Sequence, residues 1–286
     1  MERERGIQSV HRALSLLRLF THNSPRLGIT EISNALGLSK PTVHGLARTL
    51  QKQGFLQQDP HTRKYGLGMG IYELGIVLAG SLEINNKGAG PAYQLAKHTG
   101  LVSRIAMWDA GSALLTVNIE PRSHLFFVHQ IGPRLPAYCS GLGKAMLAFL
   151  DPLELEGYLE QAVLEAYTAH TIIEKERLLE ELDETRRRGY SLDREENTID
   201  LACIGAPVFG PGARLEGAIS LSGDPKEIYR NVEALARQLV LASRDIGRAM
   251  GYFPESAGLR PGAFRSPPSH TNPDENNNIS IDGDTL

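Results

Sequence analysis

Only two cysteines, Cys139 and Cys203, occur in the 286-residue chain, and aromatic residues make up 6% of it. So few cysteines exclude a disulfide framework and a cysteine-rich zinc module, and they suit a reducing cytoplasm. Long apolar runs are missing too: the longest stretch without Asp, Glu, Lys or Arg is the 13 residues of 201–213. A membrane-spanning helix needs about 18 or more, so no membrane partner is expected. The opening Met1-Glu2-Arg3-Glu4-Arg5 lacks the apolar core of an export signal. Neither a P-loop nor a dinucleotide fingerprint occurs, and His98 and His129 are not spaced as metal ligands. Hence no cofactor, metal or catalytic group is expected. Glu195-Glu196 reads as an exposed charged turn rather than an acid–base couple.

What is present is charge of two signs, unevenly divided. The net charge of −3 hides ten Lys and Arg against four Asp and Glu in residues 1–68. The remainder holds twenty basic residues against twenty-nine acidic ones. A small basic unit joined to a larger acidic body has the electrostatic footprint of a polyanion binder at one end. The apolar fraction of 41% supports a packed core, and the length suggests about two domains. From Pro254 onward there are five prolines, the run Asn276-Asn277-Asn278 and few large apolar residues. Such a segment buries too little to offset its ordering entropy and reads as a disordered tail. The expected division is 1–68, a connecting helix at 69–90, a body at 91–253 and a tail at 254–286.

In the basic unit, Val10, Ala13, Leu14, Leu17 and Phe20 recur at helical spacing. A second helix is expected from Thr30 as N-cap, through Ile32, Ala35 and Leu36, to Gly37. Ser39 is the next N-cap, with Pro41 in the first turn and Val43, Leu46, Ala47 and Leu50 facing inward. Two short helices about a glycine-containing turn form a helix-turn-helix, whose second helix enters the major groove. Its outer face carries Ser39, Lys40, Thr42, His44, Gly45 and Arg48. Lys40 and Arg48 suit phosphate or guanine, whereas Ser39 also caps the helix. Gly45 either permits close approach to DNA or sits in a helix carried by its packing. A hairpin wing follows, turning at Asp59-Pro60-His61, with Thr62, Arg63 and Lys64 near its tip.

Beyond the wing, Leu67, Ile71, Leu74 and Leu78 form the apolar stripe of a connecting helix suited to self-association. The body alternates expected helices (92–99, 143–149, 152–160, 174–189, 225–250) with strand-like runs (101–107, 113–119, 125–130, 190–194, 202–209, 215–221). Strands flanked by helices at both ends give an α+β fold with a mostly antiparallel sheet. Ser140-Gly141-Leu142-Gly143 before an apolar helix can gather backbone N–H groups as an anion site, or form a plain tight turn. Ser220 and Ser222 share one face of a strand, and Asp193 and Cys203 lie on neighbouring strands. Met107, Trp108, Leu125 and Phe127 read as core that could also wall a pocket.

Several of these segments carry a resemblance. They are Ile7-Gln8-Ser9-Val10, Gly37-Leu38-Ser39-Lys40-Pro41-Thr42-Val43-His44, Gly54-Phe55-Leu56, Tyr138-Cys139-Ser140-Gly141-Leu142-Gly143-Lys144-Ala145, Ala202-Cys203-Ile204-Gly205-Ala206-Pro207 and Gly217-Ala218-Ile219-Ser220-Leu221-Ser222-Gly223. Over about residues 7 to 253 the chain resembles the isocitrate-lyase-regulator (IclR) family of bacterial transcription factors. The resemblance implies a winged helix-turn-helix followed by a GAF-like domain. It also implies a pocket for a small organic or aromatic acid at Gly141, Leu142, Asp193, Cys203, Ser220 and Ser222. Binding as a dimer or tetramer to a near-palindromic DNA operator, commonly as a repressor, follows from the same resemblance. The reading from a different class is a GAF-like enzyme or redox sensor using Cys203 as a reactive thiol.

Overall fold

The structure, a computed structural model, describes residues 6–121 and 134–253. The expected strand at 125–130, with Leu125, Phe127 and His129, and the expected tail lie outside them.

The N-terminal unit packs α1 (Gln8–Arg18), α2 (Ile29–Leu36) and α3 (Lys40–Lys52) against a hairpin of β1 (Leu56–Gln58) and β2 (Tyr65–Leu67). Leu16, Ile32, Val43, Ala47, Leu56 and Tyr65 form its core, with Leu17 and Phe20 packed against it. Two details differ from the expectation. Val10 and Leu14 are exposed, because α1 turns the face centred on Leu16 to its neighbours. The second helix starts at Ile29 with Gly28 as N-cap, where the Glu31 carboxylate accepts the Gly28 N–H at 2.5 Å. Thr30 is thus inside the helix. Gly37 ends it at φ 63°, a left-handed conformation that favours glycine. Leu27 adds a bridge to Tyr65, and the Asp59 carboxylate organises the wing turn by accepting the His61 and Thr62 N–H groups.

Helices α4 (Met69–Ser81) and α5 (Glu83–Thr99) follow. The expected boundary at 90/91 falls inside α5, whose Ile84 and Gly88 are buried together with Ala92, Leu95 and Ala96. No residue of α4 is buried; apart from the half-buried Ile71, its large apolar side chains are exposed all round rather than on one stripe.

Among the described residues the body is a six-stranded antiparallel sheet in the order β5-β4-β3-β8-β7-β6. Its strands are β3 (Val102–Asp109), β4 (Ser112–Ile119), β5 (Arg134–Pro136), β6 (Ser191–Arg194), β7 (Ala202–Phe209) and β8 (Leu215–Gly223). Alternation along the strands makes two different faces. Ile105, Ile204, Ala206, Ile219 and Leu221 pack with α5 and α10 (Val232–Ala249) in the main core. On the opposite face lie Arg104, Cys203, Gly205 and Ser220, covered by α6 (Gly141–Leu147). Helices α7 (Pro152–Gln161) and α8 (Lys175–Arg188) complete this side. The helix expected over 225–250 is instead two, α9 (Pro225–Arg230) and α10. Asn231 separates them, its side-chain amide donating to the Glu227 carbonyl at 3.2 Å. An asparagine competing locally for backbone groups is a reason for the break.

Candidate nucleic-acid interface and ligand pocket

Helix α3 divides as its sequence requires. Val43 and Ala47 are buried, while Ser39, Lys40, His44, Gly45 and Arg48 are exposed and Thr42 is half-buried. Ser39 caps the helix: its Oγ accepts the Thr42 N–H at 3.4 Å and lies 2.8 Å from the Thr42 hydroxyl. A side chain at Gly45 would meet nothing within 4 Å, so no internal packing demands glycine there. At the wing, Arg63 is exposed at φ 60°. Lys64 is less free than its sequence position suggests, because its Nζ pairs with Glu31 Oε1 at 3.2 Å. The Gly28 N–H and Lys64 together hold the Glu31 carboxyl below its ordinary value.

Under α6 lies a cavity of about 390 Å³. Gly141, Leu142, Asp193, Cys203 and Ser220 line it among the described residues; Ser222 does not. Instead Ser222 Oγ accepts a hydrogen bond from the Arg104 guanidinium, and Arg104 itself lines the cavity. The glycine turn expected before the helix is in fact its first turn, with Ser140 as N-cap accepting the Gly143 N–H at 3.2 Å. Trp108 lies elsewhere, edge-on to Tyr158 at 5.6 Å, and Met107 packs against the main core.

Close packing fixes the seat of α6. A Cβ on Gly205 of β7 would stand 2.3 Å from the Gly141 carbonyl oxygen, and Ser191 Oγ donates to that same oxygen at 2.5 Å. Lys144, in the middle of α6, is wholly buried. Its Nζ reaches Glu196 Oε1 at 2.6 Å and Glu181 Oε1 at 3.6 Å. Glu196 is therefore buried in an ion pair, which corrects the exposed-turn reading of Glu195-Glu196. A lysine inside an otherwise apolar helix was the available signal, since a buried ammonium needs a counter-charge.

Two family models match this chain. Bacterial transcriptional regulator IclR C-terminal covers residues 78–248, and IclR helix-turn-helix domain covers residues 9–60. The chain belongs to the IclR family. It is a DNA-binding transcriptional regulator with an IclR-type winged helix-turn-helix and an α+β C-terminal domain. It is 36% identical over 247 residues to the HTH-type transcriptional regulator XynR of Escherichia coli, covering 86% of this chain and 98% of that protein. To the glycerol operon regulatory protein of Streptomyces coelicolor it is 33% identical, covering 86% of this chain and 96% of that one. Among solved structures, an IclR regulator from Alicyclobacillus acidocaldarius superposes with a TM-score of 0.75 at 24% identity. It spans 86% of this chain and all of its own. An IclR homologue from Microbacterium hydrocarbonoxydans, complexed with 4-hydroxybenzoate, superposes with a TM-score of 0.74 at 20% identity. That match covers 85% of this chain and 99% of the homologue.

Burial acts on the two thiols and on the Asp193 carboxyl near α6. Burial raises the Cys203 thiol above its ordinary value, with Asp193 adding to the shift. Cys139 is pushed up to about 12 by burial and then by Asp193. Both shifts disfavour the thiolate, the form that nucleophilic or redox chemistry uses. Asp193 is raised to about 7, first by burial and then by Glu196, while the Glu196 N–H, Lys144 and the Cys203 thiol oppose the rise.

A raised carboxyl favours folding in its protonated form. Its contribution is whole below the unfolded value near 4 and declines as pH climbs through about 7. Asp193→Asn should accordingly stabilise the ligand-free protein at pH 8, by up to about 4 kcal/mol. Urea unfolding at pH 8 and pH 5 checks this. The advantage should shrink by about half or more at the lower pH, and a pH-independent difference would contradict it.

Arg104 lines the pocket without being among the residues expected there. A cation within the apolar run 101–107 was a signal, but the pairing Arg104↔Ser220 shows which face it takes. Asn197 and Thr198 were likewise not anticipated, lying in the loop after β6.

Proposed function

We propose that this IclR regulator is a ligand-responsive repressor acting in the cytoplasm, not an enzyme. The exposed polar face of α3 carries the reading. Ser39, Lys40, Thr42, His44, Gly45 and Arg48 meet the operator, with Lys40 and Arg48 taking phosphate or guanine. Arg63 and Lys64 touch the backbone from the wing. The bare Gly45 surface lets a phosphate approach the helix closely. Residues 1–68 form the DNA-binding unit and 69–90 the connection.

Residues 91–253 form the sensor, with the effector seated against Gly141, Leu142, Asp193, Cys203 and Ser220 and with Ser222 behind. A small organic acid suits a pocket that closes at the first turn of α6, and the 4-hydroxybenzoate complex of the Microbacterium homologue supports an acid in such a domain. An acid that binds the DNA-competent and DNA-incompetent arrangements unequally shifts the balance between them. A second copy of the chain covers the exposed apolar side chains of α4, among them Tyr72, Leu74, Val77 and Leu78, together with Ile7, Val10 and Leu14 at α1. Such a dimer reads a near-palindromic site.

The test uses an operator selected by the unmodified protein from a random duplex pool. Arg48→Ala and Lys40→Ala should each weaken binding and lower the salt slope by about one unit per lost phosphate contact. Unchanged affinity and slope in both variants would sink the assignment of α3 as the reading helix.

A further inference from the structure

The effector pocket contains a buried cation without a counter-ion among the described residues. Arg104 is 9% exposed. Its Nε donates to Asn118 Oδ1 at 2.8 Å and one Nη donates to Ser222 Oγ, both neutral acceptors. No ion pair among the described residues includes Arg104, and Glu120, itself exposed, acts on it only at longer range. Residues 122–133, outside the described set, contain no Asp or Glu in their sequence. A guanidinium stays charged inside a protein, and leaving a charge buried and unpaired is strongly unfavourable. Here that group lines a cavity of about 390 Å³, within the range of small-molecule sites.

The rest of the lining narrows the ligand further. Asp193, Asn197, Thr198, Cys203 and Ser220 present hydrogen-bonding groups, and no aromatic ring lines the cavity among the described residues. The Asp193 carboxyl can hydrogen-bond a ligand hydroxyl, and in its ionised form it opposes a second carboxylate on the same ligand. Among the described residues the lining offers no stacking surface for an aromatic acid, whereas partners for several hydroxyls are at hand.

We infer that the effector is an aliphatic hydroxy-monocarboxylate, its carboxylate held by Arg104 and its hydroxyls by Asp193, Ser220 and their polar neighbours. Arg104 is thus the specificity-determining residue for the acid group. The inference rests on the reading of this cavity as the effector site. The guanidinium's planar fork matches a carboxylate in two-point contact, which a lysine could not reproduce.

The experiment is calorimetry and thermal unfolding on the full chain. The panel is glycolate, lactate, glycerate and gluconate, with their alcohol counterparts ethylene glycol, propylene glycol, glycerol and sorbitol, and with succinate and 4-hydroxybenzoate. At least one hydroxy acid should bind and change operator affinity, while its alcohol counterpart does not. Arg104→Met should weaken that binding by at least about thirtyfold. It should also leave the ligand-free melting temperature unchanged or higher, because an unpaired buried charge has been removed; a purely structural arginine would lower it. Should Arg104→Met fail to fold, Arg104→Lys serves, expected to fold and to bind with intermediate affinity.

Response to succinate or 4-hydroxybenzoate but to no hydroxy acid overturns the inference and leaves the effector site standing. So does hydroxy-acid binding that Arg104→Met or Arg104→Lys does not weaken. If no acid of any class moves either readout, the effector reading falls, and the inference with it.

Discussion

Replacing Lys144 by Met is expected to destabilise the C-terminal domain by about 3–5 kcal/mol. The ammonium is wholly buried and stands 2.6 Å from Glu196 Oε1, and the Glu196 side chain is itself 4% exposed. Glu196 Oε2 has no hydrogen-bond partner among the described residues, so Lys144 is the charge that compensates this carboxylate. Glu181 is better provided for, with Arg188 at 2.6 Å and Arg194 at 3.9 Å. Methionine matches the length of the lysine stem, so the cavity term is small and the loss reports the abandoned carboxylate. Urea unfolding followed by circular dichroism measures it. The double variant Lys144→Met/Glu196→Gln should recover most of the loss, because the stranded charge is gone. A single-variant loss under about 1 kcal/mol, or a double variant no better than the single, would refute the account.

Gly205→Ala is expected to be nearly as damaging although it adds one methyl group. The new Cβ would stand 2.3 Å from the Gly141 oxygen and 2.7 Å from Ser191 Oγ. The first of these is backbone and cannot rotate away. Helix α6 must lift from the sheet, breaking the Ser191-to-Gly141 hydrogen bond and reshaping the cavity that Gly141 lines. Overpacking of this kind costs about 1–3 kcal/mol or more. Gly157→Ala in α7 is the control: a Cβ there meets nothing within 4 Å, so the variant should be neutral or gain up to about 1 kcal/mol of helix stability. Equal melting temperatures for the two variants would show that α6 is not seated as described.

The N-terminal unit was legible because its signals are local. Ser39 caps α3, Pro41 sits in its first turn and Gly37 closes α2, each through backbone chemistry within a few residues. Apolar spacing likewise placed Val43 and Ala47 inward. It misjudged Val10 and Leu14, since one apolar stripe cannot tell burial within a chain from exposure on its surface. In the body, the family motifs named Gly141, Asp193, Cys203 and Ser220 as neighbours, and the cavity brings them together.

By itself, then, the sequence determined the divided charge, the helix-turn-helix, the α+β order and the family. Only the tertiary structure decided that Arg104 shares a face with Ser220, that Glu196 lies beneath Lys144 and that Ser222 stands behind Arg104. Strand register and helix seating set these contacts, joining residues up to 118 positions apart. A one-residue slip in register would turn each side chain to the opposite face. Periodicity along a single strand holds no information about its partner, and so it could not say where a buried charge would find company.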